Sequence, residues 1–115
     1  MTWEAFIQSD FSDIKEDEKC EELLDYLKAE EEDGKMVFAC AKAAYEYIVS
    51  AVGSFDEDDS TAVMLLKAIT QDFYDNRVLK DPRASLTQPF QRISYINTAI
   101  LLQLKLKYDL SKESS

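Results

Sequence analysis

At 115 residues, 46% apolar and 31% charged, the chain is the size of one domain, too apolar for wholesale disorder and too charged for a membrane protein. No apolar run approaches the roughly 20 residues that span a bilayer, and MTWEAFIQSD has no basic region followed by an apolar stretch, so neither a membrane span nor a secretory signal is expected. The net charge of −10 is unevenly placed: residues 1–60 hold 18 acids and 5 bases, net −13, and residues 61–115 hold 5 acids and 8 bases, net +3, a balance that argues against gripping nucleic acid through a general basic surface.

In chain order, Trp3, Phe6, Ile7, Phe11 and Ile14 are spaced three or four apart, which predicts a short amphipathic helix followed by a turn near the Ser-Asp pairs. The segment CEELLDYLK predicts a short helix near 22–28. An acidic run, Glu30, Glu31, Glu32 and Asp33, then leads into Gly34 and reads as a charged turn at the start of the next helix.

That helix, predicted over 35–52, has Lys42, Glu46 and Ser50 as its only polar residues past Lys35. They line up at i, i+4 and i+8, leaving one thin polar stripe, and a helix so apolar is buried on several sides. Its small residues, among them Ala39 and Ala43, allow close approach and are candidate subunit contacts. Gly53 stands where a helix C-terminus favours a left-handed residue. The acidic loop of Asp56, Glu57, Asp58 and Asp59 follows, with Asp59 or Ser60 expected to cap a helix over 61–79.

In that helix the apolar stripe Ala62, Leu65, Leu66, Ile69 and Phe73 runs on to Asn76 and Arg77. An arginine in the last turn suits the helix dipole and can satisfy several carbonyls at once, with Tyr74 one turn earlier to cover its stem. Tyr74, Asn76 and Arg77 are therefore candidate cap and contact residues. Pro82 and Pro89 bracket the connector DPRASLTQP, and a last helix is predicted over 90–108. It carries two apolar stripes: Ile93, Ile96, Ile100 and Leu104 to seal the core, and Tyr95, Ala99, Leu102 and Leu106 to meet a partner. Residues 111–115 read as a disordered polar tail. Together these elements predict an all-α domain over residues 1–110, a small bundle of three main helices with shorter N-terminal ones.

The residues that usually carry chemistry are sparse. Histidine is absent, which removes the commonest general base and transition-metal ligand. No serine or cysteine has an activating neighbour, and there is no glycine-rich phosphate loop. Counted as a calcium loop from Asp56, the sixth position is Thr61 instead of glycine and the twelfth is Lys67 instead of glutamate, so the match fails. Cys20 and Cys40 are expected to be reduced thiols. No catalytic residue, cofactor or metal is expected.

Four segments in order, Tyr26-Leu27-Lys28, then Ala44, Tyr47, Ile48 and Gly53, then Tyr74, Asn76 and Arg77, then Gln103-Leu104-Lys105, resemble the head–tail connector (adaptor) proteins of long-tailed phages and prophages. The likeness covers roughly residues 21–108; residues 1–20 have no counterpart. It implies a non-enzymatic virion protein that forms a homo-oligomeric ring of about a dozen subunits under the portal protein. The ring would extend the DNA channel, dock a stopper or tail-completion protein, and sit at the head–tail interface after assembly in the host cytoplasm. The acids Glu30, Glu31, Glu32, Asp33, Asp56, Glu57, Asp58 and Asp59 would face the channel, letting DNA pass without specific binding because like charges repel. An acidic DNA-mimic inhibitor, another small helical interaction module, and an enzyme of unfamiliar type are the competing expectations.

Overall fold

The computed structural model describes residues 1–78 and 95–113, and the side chains of residues 1–75 and 96–110. Among these residues the fold is all-α, with no strand. The helices are α1 (Trp3–Gln8), α2 (Phe11–Ile14), α3 (Glu18–Leu27), α4 (Gly34–Val52), α5 (Ser60–Val78) and α6 (Tyr95–Glu113). A single 3-10 turn, Glu31–Asp33, leads into α4.

The N-terminal segment is two helices, not one helix and a turn. Helices of 6 and 4 residues do not persist alone in water; these are held by burial. Trp3, Phe6, Ile7 and Ile14 all belong to the main core. Phe6 meets Trp3 edge-on at 5.9 Å and Phe38 of α4 at 5.4 Å. Thr2 caps α1 by accepting from the Ala5 N–H at 3.1 Å, and the Lys19 ammonium sits 4.5 Å above the Trp3 ring.

Helix α3 starts four residues before its predicted position because Asp17 supplies the cap, accepting from the Lys19 N–H at 3.0 Å. It closes on Lys28, whose φ of 55° is left-handed, while the Ala29 N–H reaches the Leu24 carbonyl at 2.9 Å. Glycine favours that conformation and lysine does not. Lys28→Gly should therefore raise stability by about 0.5–1 kcal/mol; an unchanged or lower urea midpoint would mean that the lysine side chain compensates for its own strain.

Helix α4 lies at the centre, packed on α1, α3, α5 and α6. Cys40, Ala41, Ala44 and Ile48 are buried against these neighbours, and the predicted stripe Lys42, Glu46 and Ser50 is exposed. Gly53 ends it at φ 99°, as expected of a left-handed cap. Gly34 works differently. It is the first α4 residue, with helical dihedrals, and a Cβ there would stand 3.0 Å from the Phe11 ring. Its small size admits α2.

Helix α5 buries the predicted stripe Ala62, Leu65, Leu66, Ile69 and Phe73 completely. Thr70 joins it, its hydroxyl donating to the Leu66 carbonyl at 2.6 Å and so satisfying itself within the helix. Asn76 and Arg77 lie in the last turn of α5; their side chains fall outside the described residues, as do Tyr95's, Ile93 and the Pro82–Pro89 connector.

Helix α6 departs from the prediction in two ways. It continues to Glu113, so residues 111–113 are helix and not a disordered tail; no Gly or Pro interrupts Asp109-Leu110-Ser111-Lys112-Glu113. It is also rotated. Ile96, expected in the core, is 71% exposed, while Asn97, Leu101 and Leu104 face inward. Polar anchors set this rotation: the Asn97 amide donates to Asp72 of α5 at 2.8 Å, and near the other end Lys107 and Tyr108 donate to Asp59 at 2.9 and 3.4 Å.

Candidate functional site

Among the described residues, the rotation of α6 creates the most conspicuous exposed apolar surface. Ile96, Leu102, Leu106 and Leu110 are 71%, 62%, 60% and 55% exposed, and Ala99 among them is exposed as well. At 100° per residue these five fall within a sector of about 120°, opposite the face that carries Asn97, Leu101, Leu104 and Tyr108. The helix thus has two apolar faces, one spent on its own core and one turned outward. Of the residues expected to meet a partner, Ala99, Leu102 and Leu106 lie on the outward face, and Ile96 and Leu110 extend it.

Ala39 and Ala43, the other candidate contacts, lie on α4. Ala39 is exposed; Ala43 is half-buried and packs against the core. Met36 and Tyr47, 37% and 39% exposed, share that side of the helix, so α4 presents a mixed face beside its polar stripe.

The eight candidate acids divide by environment. Glu30, Glu31, Glu32, Asp56 and Asp58 are exposed. The other three hold the fold together. Asp33 precedes α4 without capping it; its carboxylate accepts from the Tyr74 hydroxyl at 2.7 Å, tying the end of α5 to the start of α4. Glu57 accepts from the Trp3 and Glu4 backbone N–H groups, so a carboxylate from the 56–59 loop covers the positive end of α1.

Asp59 has three duties. It accepts from the Thr61 N–H at 2.9 Å as the cap of α5, forms an ion pair with Lys107, and accepts from Tyr108. The Lys107 hydrogen bond holds its carboxyl below the usual carboxylate range, outweighing the opposing effect of burial. Burial, reinforced by the Asp59 charge, pushes the Tyr108 phenol up. The loop read as a solvated acidic run is thus partly a bracket joining α1, α5 and α6.

On the α3 side of α5 lies an open groove of about 480 Å³. Its apolar lining is Tyr26, Val63 and Met64; Glu57, Asp58 and Lys67 complete it. Tyr26 and Met64 are 41% and 47% exposed, and Lys67 is paired with Glu22. Sequence periodicity did not single out this groove, because Tyr26 and Met64 come from different helices and only packing brings them together.

Among the described residues no group of three or more potential ligands could hold a metal ion, and no helix is long and apolar enough to cross a membrane. Cys20 and Cys40 are reduced and buried; burial, followed by the nearby Asp17, Glu21 and Glu31, pushes the Cys20 thiol up, away from the reactive thiolate form. Comparison with family models, with curated proteins and with solved structures found no match.

Proposed function

We propose that this chain is an assembly subunit of the head–tail connector type: a helical protein that forms a ring under a portal, lines a DNA channel with acids, and docks a stopper or tail component in the virion. The observation that carries the reading is the second apolar face of α6, which has no counterpart in an isolated domain that needs one face only. The motif residues that support it have definite places in the fold. Tyr26 lines the groove, Ala44 and Ile48 are buried in α4, Gly53 closes that helix, and Tyr74 holds Asp33.

The energetics favour a subunit that associates weakly until it is templated. Covering four half-exposed aliphatic side chains contributes about 4–7 kcal/mol. Association itself costs about 4–15 kcal/mol, and a charge of −10 per copy opposes close approach at low salt. The free protein should therefore be mostly monomeric when dilute and shift towards oligomers as salt rises. Sedimentation across a salt series checks this; oligomers that dissociate on adding salt would mean that ion pairs, not the apolar face, hold them.

The decisive experiment is co-expression with the portal protein of the same genome, followed by electron microscopy of the purified portal. The expected result is an added ring of density on the portal's tail-side face. Portal that purifies bare, with this chain instead bound to a DNA-processing enzyme, would favour the DNA-mimic reading, to which the exposed acids Glu30, Glu31, Glu32, Asp56 and Asp58 would then belong.

A further inference from the structure

We infer that the Asp56–Asp59 turn couples the docking of α1 to the seating of α6, so that loosening either helix is felt at the other. The coupling is a property of the folded chain and holds whatever the protein assembles with.

It follows from how each helix is completed. The N–H groups of a helix's first turn find no partner inside the helix. In α1, Thr2 takes that of Ala5 at 3.1 Å, which leaves those of Trp3 and Glu4. Both go to one side chain from another segment: Glu57 accepts from Trp3 with Oε1 at 2.5 Å and from Glu4 with Oε2 at 3.3 Å. A helix of 6 residues has no cooperative reserve of its own, so this borrowed cap and the burial of Trp3, Phe6 and Ile7 carry it together.

Helix α6 is tied to the same four residues. Oδ2 of Asp59 accepts from Lys107 at 2.9 Å and from Tyr108 at 3.4 Å, and the Tyr108 hydroxyl also meets the Asp56 backbone. Tyr108 is thereby held by both ends of the turn.

The turn itself is closed. The Asp58 N–H donates to Asp56 Oδ1 at 3.0 Å, and the Asp59 N–H donates to the Asp56 carbonyl at 3.1 Å. This is a β-turn with an Asx turn inside it, and it makes Asp56, Glu57 and Asp59 move as one unit. Releasing Lys107 and Tyr108 frees both ends of that unit and slackens the carboxylate on which α1 begins. Undocking α1 frees Glu57 and slackens Asp59 in the same way. A coupling free energy is reciprocal, and here its carrier is a single hydrogen-bonded element instead of a path through the core. Just before the turn, the Phe55 ring stays 5.0 Å from Tyr45 of α4, so the two helices loosen without the loop leaving the core. Anything that turned α6 by its exposed face would therefore also loosen the N-terminal helix.

Backbone amide hydrogen exchange of the full chain, resolved by residue with NMR, tests the coupling. Lys107→Ala and Tyr108→Phe release α6 from the turn without touching α1, and Glu57→Ala releases α1 without touching α6. All three leave the apolar core whole; Lys107 is 65% exposed, and Tyr108→Phe removes only a hydroxyl. Asn97→Ala serves as control, since it cuts the other anchor of α6, to Asp72. Tyr108→Phe and Lys107→Ala should each speed exchange at Phe6, Ile7 and Gln8 by about three- to tenfold, the worth of one net hydrogen bond. Glu57→Ala should speed exchange over residues 104–108 by a similar factor. The α5 amides of Leu65, Leu66 and Ile69 should keep their rates in all three.

Unchanged α1 exchange in both α6 variants would show that Glu57 holds α1 unaided, and would overturn the inference. An equal rise in α1 and α5 would do the same, because it reports global destabilisation. So would an Asn97→Ala variant that loosens α1 as much as Tyr108→Phe does, since the link would then run through core packing and not through the turn.

Discussion

Replacing Phe6 with alanine should destabilise the protein by about 3–5 kcal/mol, the range for truncating a fully buried aromatic side chain. That is a large fraction of the 5–15 kcal/mol that holds a typical domain together, and should lower the melting temperature by roughly 12–20 °C. The reason lies in how α1 is attached. Phe6 is wholly buried, its ring stacks edge-on with Trp3 and Phe38, and α1 has no length with which to hold itself. Losing the ring opens a cavity beneath α4 and releases Trp3, Ile7 and the Glu57 bracket with it. Thermal denaturation of Phe6→Ala beside a surface control, Gln8→Ala, measures the effect. A shift of only a few degrees in Phe6→Ala would mean that residues 1–14 are an appendage and that α3–α6 fold without them.

The N-terminal helices show how much of this fold can be read from sequence. The three-and-four spacing of Trp3, Phe6, Ile7, Phe11 and Ile14 correctly marks an apolar face, yet spacing says nothing about where that face goes, and only packing shows it under α4. The stripe of α5 was fully legible, since each of its five residues repeats at helical spacing and all are buried. The stripe of α6 was not. Ile96 fits the periodicity as well as Leu101 does, and the choice between them is made by Asn97 meeting Asp72 and by Lys107 and Tyr108 meeting Asp59. Each of those partners is 25 or more residues away in sequence, and such polar contacts leave no periodic trace. The acidic loop is half legible for a related cause: Asp59 caps α5 as its position predicts, but composition does not reveal that the α1 N–H groups converge on Glu57 or that Lys107 and Tyr108 converge on Asp59. Lys28 gave no signal at all, because a left-handed lysine looks in sequence like any other.

Asp59 is where stability and the proposed interface meet, and its removal has the second large expected effect. Asp59→Ala deletes the cap of α5, usually about 0.5–2 kcal/mol, and takes one hydrogen-bond partner from the Tyr108 hydroxyl, which also meets the Asp56 backbone, and the ion-pair partner from Lys107. Lys107 is 65% exposed, so water replaces most of its lost pairing; the total should be about 2–3 kcal/mol. Asp59→Asn should keep much of the cap through its amide oxygen and lose the ion pair.

The pH dependence separates the two contributions. The folded-state carboxyl of Asp59 is held below its ordinary value of about 4 chiefly by Lys107, so the folded protein binds a proton there less readily than the unfolded chain. Its contribution is complete above that ordinary value and is lost as the pH falls through the lower folded value. The stability gap between the parent protein and Asp59→Asn should therefore be constant from neutral pH down to about pH 5 and shrink below about pH 4. Urea unfolding at a series of pH values reads this gap directly, and a gap that widened in acid would show that Asp59 is not the charged partner of Lys107. The same substitution should loosen the C-terminal half of α6, since Lys107 and Tyr108 hold its rotation. Leu106 and Leu110 would then no longer be presented at a fixed angle. Asp59→Asn should accordingly speed backbone amide hydrogen exchange over residues 104–110 even at neutral pH. Unchanged exchange there would show that α6 holds its orientation through Leu101, Leu104 and Asn97 alone.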